Sequence, residues 1–272
     1  MHNASKVLLG ATLSSAKDIS VFNSDPATYL AGLAVRQSST ADVLSLTSGF
    51  KVGISLGKSL SDHKKTSVLR SGLGVPLRAH LKRASCVVTI SSYANLLTTT
   101  PDTLAVAGVT FTAQAGAATL GDATFRAATS NDATATSLAA QINGHATASA
   151  KVYAIASSAT VTIYSVVDGI GSTGTGNDIA VAYTDNGGGN IGITIAGLSG
   201  GKLAGGSDTI SDIAYIAIGA KAYINDTTGK ADIAMTGFST VSDAIYIGTE
   251  ITGIDESGSD VAAVLVDMPG GL

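Results

Sequence analysis

The chain has 272 residues, of which 45% are hydrophobic and only 13% charged, with 32 Gly, 4 Pro, no Trp and a net charge of −4. That length holds two modest domains or one large β domain, and a chain so poor in charge and positive in mean hydropathy is not intrinsically disordered. A single cysteine, Cys86, excludes a disulfide framework and a cysteine-based zinc cluster.

The charge is unevenly spread. Residues 1–83 hold 11 of the 16 basic and 4 of the 20 acidic residues, a surplus of seven positive charges, and the remainder carries a surplus of eleven negative ones. Such asymmetry points to a basic face that meets an acidic partner, or to head-to-tail contact between copies; the plainer alternative is one domain with a basic exposed face. Low charge with many Gly, Thr, Val and Ile fits short strands joined by tight turns, and also a protein that buries surface against partners.

In chain order, the apolar patch at 7–9 is too short for the core of a signal peptide. Residues 29–36 read as a strand or a short helix start, and strand candidates follow at 42–47, 51–56 and 66–70, with a polar loop at 59–65. Residues 72–77 read as an edge strand or bulge, because Pro76 cannot donate to a central ladder. The β-branched run 86–90 closes this first part, with Cys86 a buried, inert thiol beside Val87, Val88 and Ile90. Residues 98–101 read as a linker.

A self-contained stretch, 102–195, comes next. It opens with a hairpin over 104–112 that turns at Ala107-Gly108. Ala135, Leu138, Ala139 and Ile142 then fall on one face of a helix, with Asn131, Asp132 or Thr134 as its cap and Gly144 as a left-handed stop. Strands follow at 151–156, 160–166, 178–183 and 191–195, Gly187-Gly188-Gly189 links the last two, and the glycine pairs at 200–201 and 205–206 form a flexible exit. Beyond 207 the chain is again strand after strand, at 214–218, 221–224, 230–234, 244–247, 250–254 and 261–267. The most apolar window, 213–224, is too short to span a bilayer and contains Lys221, so no membrane partner is expected.

The strand–loop–strand layout of 52–70 matches that of 245–266, which suits one small β barrel built from both chain ends, at 1–97 and 207–272, around an inserted domain at 98–206. The expected fold is therefore mainly β, with a β-sandwich insertion carrying one helix.

No catalytic motif emerges. The stretch Gly53-Ile54-Ser55-Leu56-Gly57-Lys58-Ser59 is one residue short of a phosphate-binding loop, and no helix follows it. The glycine pattern at 169–174 opens onto a strand where a dinucleotide fold needs a helix. His2, His63, His80 and His145 lack metal-ligand spacing and read as surface residues, and the acidic turn with Asp255, Glu256 and Asp260 lacks the alternating ligands of a calcium loop. No cofactor and no metal are expected. The seven basic residues Lys58, Lys64, Lys65, Arg70, Arg78, Lys82 and Arg83 cluster within 26 positions without aromatic partners for stacked bases, so a salt-dependent protein contact is expected over nucleic acid.

The block from Asp102 to Ala113 in sequence, with the alanine-rich helix through Ala139-Ala140-Gln141-Ile142-Asn143, resembles an Ig-like insertion domain common in structural proteins of tailed bacteriophages. The flanking segments Gly219-Ala220-Lys221-Ala222-Tyr223, Thr228-Gly229-Lys230-Ala231 and Val264-Leu265-Val266-Asp267-Met268-Pro269-Gly270 resemble the small β barrels of phage capsid decoration (cement) proteins. The resemblance implies a non-enzymatic virion protein, made in the host cytoplasm, that binds the major capsid protein on the outer capsid surface and ties capsomers together. It further implies a homo-oligomer, with a trimer favoured. The alternatives are a tail tube, sheath or fibre subunit and, from another class, a module that grips host-surface glycans. The scarcity of aromatic platforms weighs against the last.

Overall fold

The structure, a computed structural model, describes residues 7–8, 18–23, 34–37, 44–45, 50–59, 65–98, 100–167, 169, 178–209, 221–224, 228–232, 239–254 and 260–268. It is mainly β and divides into two compact units, Met1–Leu81 with Thr209–Leu272, and Lys82–Asp208. No helix among the described residues is long and apolar enough to cross a membrane.

The first segment supplies β1 (Val7–Leu8), β2 (Asp18–Asn23), β3 (Ala34–Gln37), β4 (Leu44–Ser45), β5 (Phe50–Ser59) and β6 (Lys65–Arg78). The central unit supplies β7 (Ser85–Ile90), a 3₁₀ turn at Ala94–Leu97, β8 (Thr103–Val106), β9 (Val109–Gln114), β10 (Thr124–Arg126), α1 (Asn131–Gly144) and α2 (Ala146–Ser149). It continues with β11 (Val152–Ser157), β12 (Thr160–Ser165), β13 (Val181–Thr184), β14 (Ile193–Ala196), β15 (Leu198–Ser199) and β16 (Lys202–Leu203). The last segment adds β17 (Lys221–Ile224), β18 (Ala231–Asp232), β19 (Ser239–Ile254) and β20 (Asp260–Met268). The strand expected at 214–218 lies outside the described residues.

The flanking unit is one ten-stranded sheet, ordered β18-β17-β19-β20-β6-β5-β3-β4, with β1 on β19 and β2 on β6. Its pivot is β6. Residues 65–71 pair with β2, with β5 also along this half, and the half from Gly72 to Arg78 pairs with β20. Pro76 lies in that second half opposite Leu265, where among the described residues only β20 pairs with the strand, so the edge-like reading of its missing N–H holds locally although β6 is central. A closed barrel was expected, but no pairing joins β18 to β4 among the described residues. Both of these end strands are two residues long and offer little ladder for closure.

The central unit packs two four-stranded sheets, β10-β9-β8-β13 and β11-β12-β7-β14. Strict alternation in β7, β9 and β12 turns Cys86, Val88, Ile90, Phe111, Val161 and Ile163 inward to one core. Phe125 of β10 and Leu138 and Ile142 of α1 are fully buried in it, each worth roughly 1.5–3 kcal/mol of burial. The four helix positions read from periodicity, Ala135, Leu138, Ala139 and Ile142, are all buried.

Several expectations change. The strand 86–90 does not close the flanking part: as β7 it lies inside the central unit between β12 and β14, because its inward residues need that core. The first boundary accordingly falls at 81/82, not 97/98, and the supposed linker is part of the crossing from β7 to β8. The helix cap is Ser130, whose Oγ accepts from Ala133 N at 3.1 Å. Gly144 is the last helical residue without positive φ, and α2 follows directly after His145. Gly200 and Gly201, both at positive φ, form a tight turn between β15 and β16 where a flexible exit was expected. At the 107–108 turn both residues are left-handed, Ala107 at φ 55° and Gly108 at φ 89°, as a two-residue hairpin of the primed type requires.

Candidate interaction surfaces

Within the flanking unit the described members of the basic set, Lys58, Lys65, Arg70 and Arg78, are spread along two strands. Lys58 on β5 sits opposite Thr66, Lys65 opens β6 opposite Ser59, and Arg70 lies in mid-strand. Arg78 ends β6 opposite Ala263 and is buried, while Lys64 lies outside the described residues. A 14-residue strand lays its charges along roughly 46 Å at about 3.3 Å per residue, which is why closeness in sequence does not become closeness in space. Lys82 and Arg83 belong to the central unit; Lys82 is exposed, Arg83 is buried.

Arg83 has a structural task. Its guanidinium donates to Ser165 O at 3.2 Å and to Val166 O, and lies 5.8 Å from the centroid of the Tyr153 ring. That ring stacks on Tyr164 at 5.2 Å. Arg78 and Arg83 are therefore removed from the candidate contact set, because a buried guanidinium offers nothing to an approaching surface.

His80 is a second correction. It is buried, not superficial: Nε2 lies 2.8 Å from Thr228 Oγ1 and 3.7 Å from Asp232 Oδ2, with Asp232 fully buried. This cluster ties the β6 exit to β18, where His80 N also donates to Ala231 O. His145 packs edge-on against Phe111, ring centroids 5.7 Å apart; His2 and His63 lie outside the described residues. Gly53–Ser59 in sequence lies within β5, which ends the phosphate-loop reading.

The chain enters and leaves the central unit side by side. Ser207 N donates to Lys82 O at 3.0 Å, and Ser85 N to Ala204 O at 2.9 Å. At the opposite end the β13–β14 loop is held by Asp102, which is fully buried. Its carboxylate accepts from Tyr183 Oη, from Asn186 N at 2.9 Å and from Gly187 N at 3.3 Å. Tyr183 Oη in turn accepts from Gly192 N at 3.1 Å. Burial, then the bond to Asp102, pushes Tyr183 up to about 12. Asp185 caps the glycines, accepting from Gly187 N and Gly188 N at 3.0 Å and from Gly189 N at 2.8 Å. The loop is thus fixed before any partner arrives, and Ile191 stands on it 58% exposed.

The same end carries a hydroxyl row on each outer sheet face. Thr184, Thr103, Thr112 and Thr124 are cross-strand neighbours in one sheet, and Ser157, Thr160, Thr89 and Thr194 in the other. Sequence reading missed both rows, since they exist only in register, and it gave Asp102 no role. The available signal was a lone carboxylate at the head of an otherwise uncharged strand.

Among the described residues no group of three or more His, Cys, Asp or Glu is placed to hold a metal ion. No protein-family profile and no curated protein matches the chain. A solved chain from Mycobacterium phage Patience aligns over 95% of this chain and 94% of its own length, at 15% identity and a TM-score of 0.38. A likeness that distant carries no argument about either fold or role.

Proposed function

We propose that the chain is a structural protein of a tailed-phage virion that binds the outer surface of the assembled capsid and stabilises contacts between capsomers. The observation that carries this reading is the topology. Both chain ends build one sheet, and a complete second unit is inserted between them with its two connections hydrogen-bonded to each other. An insertion of that kind lets the host sheet keep its own contact while the guest folds as a separate unit. The resemblance of 102–113 and of the flanking segments to phage structural proteins supports the same role.

The anchoring contact is assigned to the flanking unit, with Lys58, Lys64, Lys65 and Arg70 as its basic residues and exposed Lys82 beside them in sequence. The partner is the major capsid protein, with an acidic contact surface. Each contact is weak alone, and an oligomer engaging several capsid subunits gains through effective concentration. No reaction is assigned to the chain.

Mixing the protein with undecorated capsids and sedimenting them tests the reading. Saturable, salt-sensitive co-sedimentation is expected, and no co-sedimentation at low salt rejects it. Co-sedimentation with isolated phage tails and not with capsids would instead support a tail tube or sheath subunit.

A further inference from the structure

The charge asymmetry that looks like a basic domain beside an acidic one is folded into a single unit. Residues 1–81 contain nine basic and four acidic residues, residues 209–272 two basic and nine acidic, and both segments build the same sheet. The basic strands β3, β5 and the first half of β6 carry Arg36, Lys51, Lys58, Lys65 and Arg70. The acidic strands β19 and β20 carry Asp243, Glu250, Asp260 and Asp267 and no base.

Two hairpins of matching layout carry these residues in register. In β5–β6, Lys58 and Lys65 sit on the pairs Lys58–Thr66 and Ser59–Lys65 at the mouth. In β19–β20, Asp260 pairs with Ile254 at the mouth, and Glu250 precedes Ile251, which pairs with Ala263. The first hairpin lies at the start of β6. The second is tied to its end, where Arg78 pairs with Ala263. From Thr66 to Arg78 is roughly 40 Å of strand at about 3.3 Å per residue. Screening at physiological salt reaches only about 8 Å, so the two mouths do not neutralise each other.

We propose that these mouths join copies of the chain, the basic β5–β6 mouth of one copy meeting the acidic β19–β20 mouth of the next. An acidic partner such as the proposed capsid surface complements the basic end alone, whereas a second copy offers each end its complement. The contact is head-to-tail, so it closes into a ring or runs on into a filament. It concerns the free protein and needs no capsid, so its failure and failure of capsid binding are separately visible.

The test is a charge exchange on the full chain, read by sedimentation velocity at low and high salt. One variant carries Lys58→Glu with Lys65→Glu, the other Glu250→Lys with Asp260→Lys. Wild type is expected to associate at low salt and each variant alone about tenfold more weakly or worse. An equimolar mixture of the two should regain association, because reversed ends again meet their complements. If a reversal fails to fold by circular dichroism, the neutral pair Lys58→Gln and Asp260→Asn is read instead, each expected to weaken association. Wild type that stays monomeric at every salt, folded variants that associate like wild type, or a mixture no better than its parts overturns the proposal.

Discussion

Asn143, on the last turn of α1, holds Ala154 of β11 by both of its backbone groups: Oδ1 accepts from Ala154 N at 2.7 Å and Nδ2 donates to Ala154 O at 2.8 Å. Because β11 is an edge strand, its outer groups would otherwise lack a ladder partner. Asn143 supplies the missing neighbour and fixes the helix to the sheet. Asn143→Ala strips partners from two groups on a residue that is 5% exposed, so a loss of about 2–4 kcal/mol is expected. Chemical denaturation of the full chain measures it, with exposed Asn190→Ala expected within about 0.5 kcal/mol of wild type.

How much of this was legible beforehand differs between the units. The helix announced itself, because Ala135, Leu138, Ala139 and Ile142 repeat at helical spacing and all four are buried. The 104–112 hairpin was equally plain. By contrast, β10 was missed: three residues pairing in parallel with β9 leave too short a pattern to register. Strand 86–90 was seen but assigned to the wrong unit, since alternation shows that a strand has a buried face and not which sheet buries it. The candidate basic site suffered the same loss. Spacing along the sequence gave a cluster, whereas the long extended β6 and the burial of Arg78 and Arg83 dispersed it.

Gly192 illustrates a constraint visible only in three dimensions. A Cβ there would lie 2.4 Å from Leu96 Cδ2 and 2.9 Å from Ser92 O, and Leu96 is fully buried. The backbone oxygen cannot yield as a flexible side-chain end can. Gly192→Ala should therefore cost about 1–3 kcal/mol and loosen the loop that Tyr183 grips through Gly192 N. Thermal melting gives the stability change, and hydrogen exchange across 185–192 shows whether the loop opens first. A neutral outcome in both would mean that the 3₁₀ turn shifts freely.

Cys86 and Tyr183 are among the groups that make the central unit sensitive to alkali. Burial pushes the Cys86 thiol from 9.0 up to about 12, and burial with the Asp102 bond pushes Tyr183 from 10.0 to about 12. Both are neutral when protonated, and the fold favours that form. Their contribution is whole below the unfolded values and is lost as pH rises from about 9 toward 12. Stability should fall through that window, and Tyr183→Phe should remove a step near pH 12 from the tyrosinate absorbance titration.

The same shift makes Cys86 chemically quiet. Thiolate is the attacking species, and at mildly alkaline pH the buried thiol has very little of it. Reaction with an aromatic disulfide reagent should run at least about a hundredfold slower in the folded chain than in urea. Fast labelling without denaturant would show that β7 opens readily from its place between β12 and β14.

Where β7 belongs decides how the insertion is removed. Cutting out 102–204, the stretch 102–195 that looks self-contained in sequence together with its glycine-rich exit, leaves β7 behind with Cys86, Val88 and Ile90 stripped of the core that covers them. Exposing Val88 and Ile90 forfeits roughly 1.5–3 kcal/mol each and leaves an uncapped apolar strand, so that variant should aggregate or bind a hydrophobic dye. Cutting out 82–208 takes β7 away with its sheet, and the Ser207–Lys82 hydrogen bond shows that the two cut ends are neighbours a short glycine-serine linker can join. That variant is expected to melt cooperatively and to co-sediment with capsids with the salt dependence of the full chain, since the anchoring residues other than Lys82 stay. Were 102–204 the tolerated deletion and 82–208 the one that unfolds, β7 would be serving the flanking sheet after all, and the division at Leu81 would have to move.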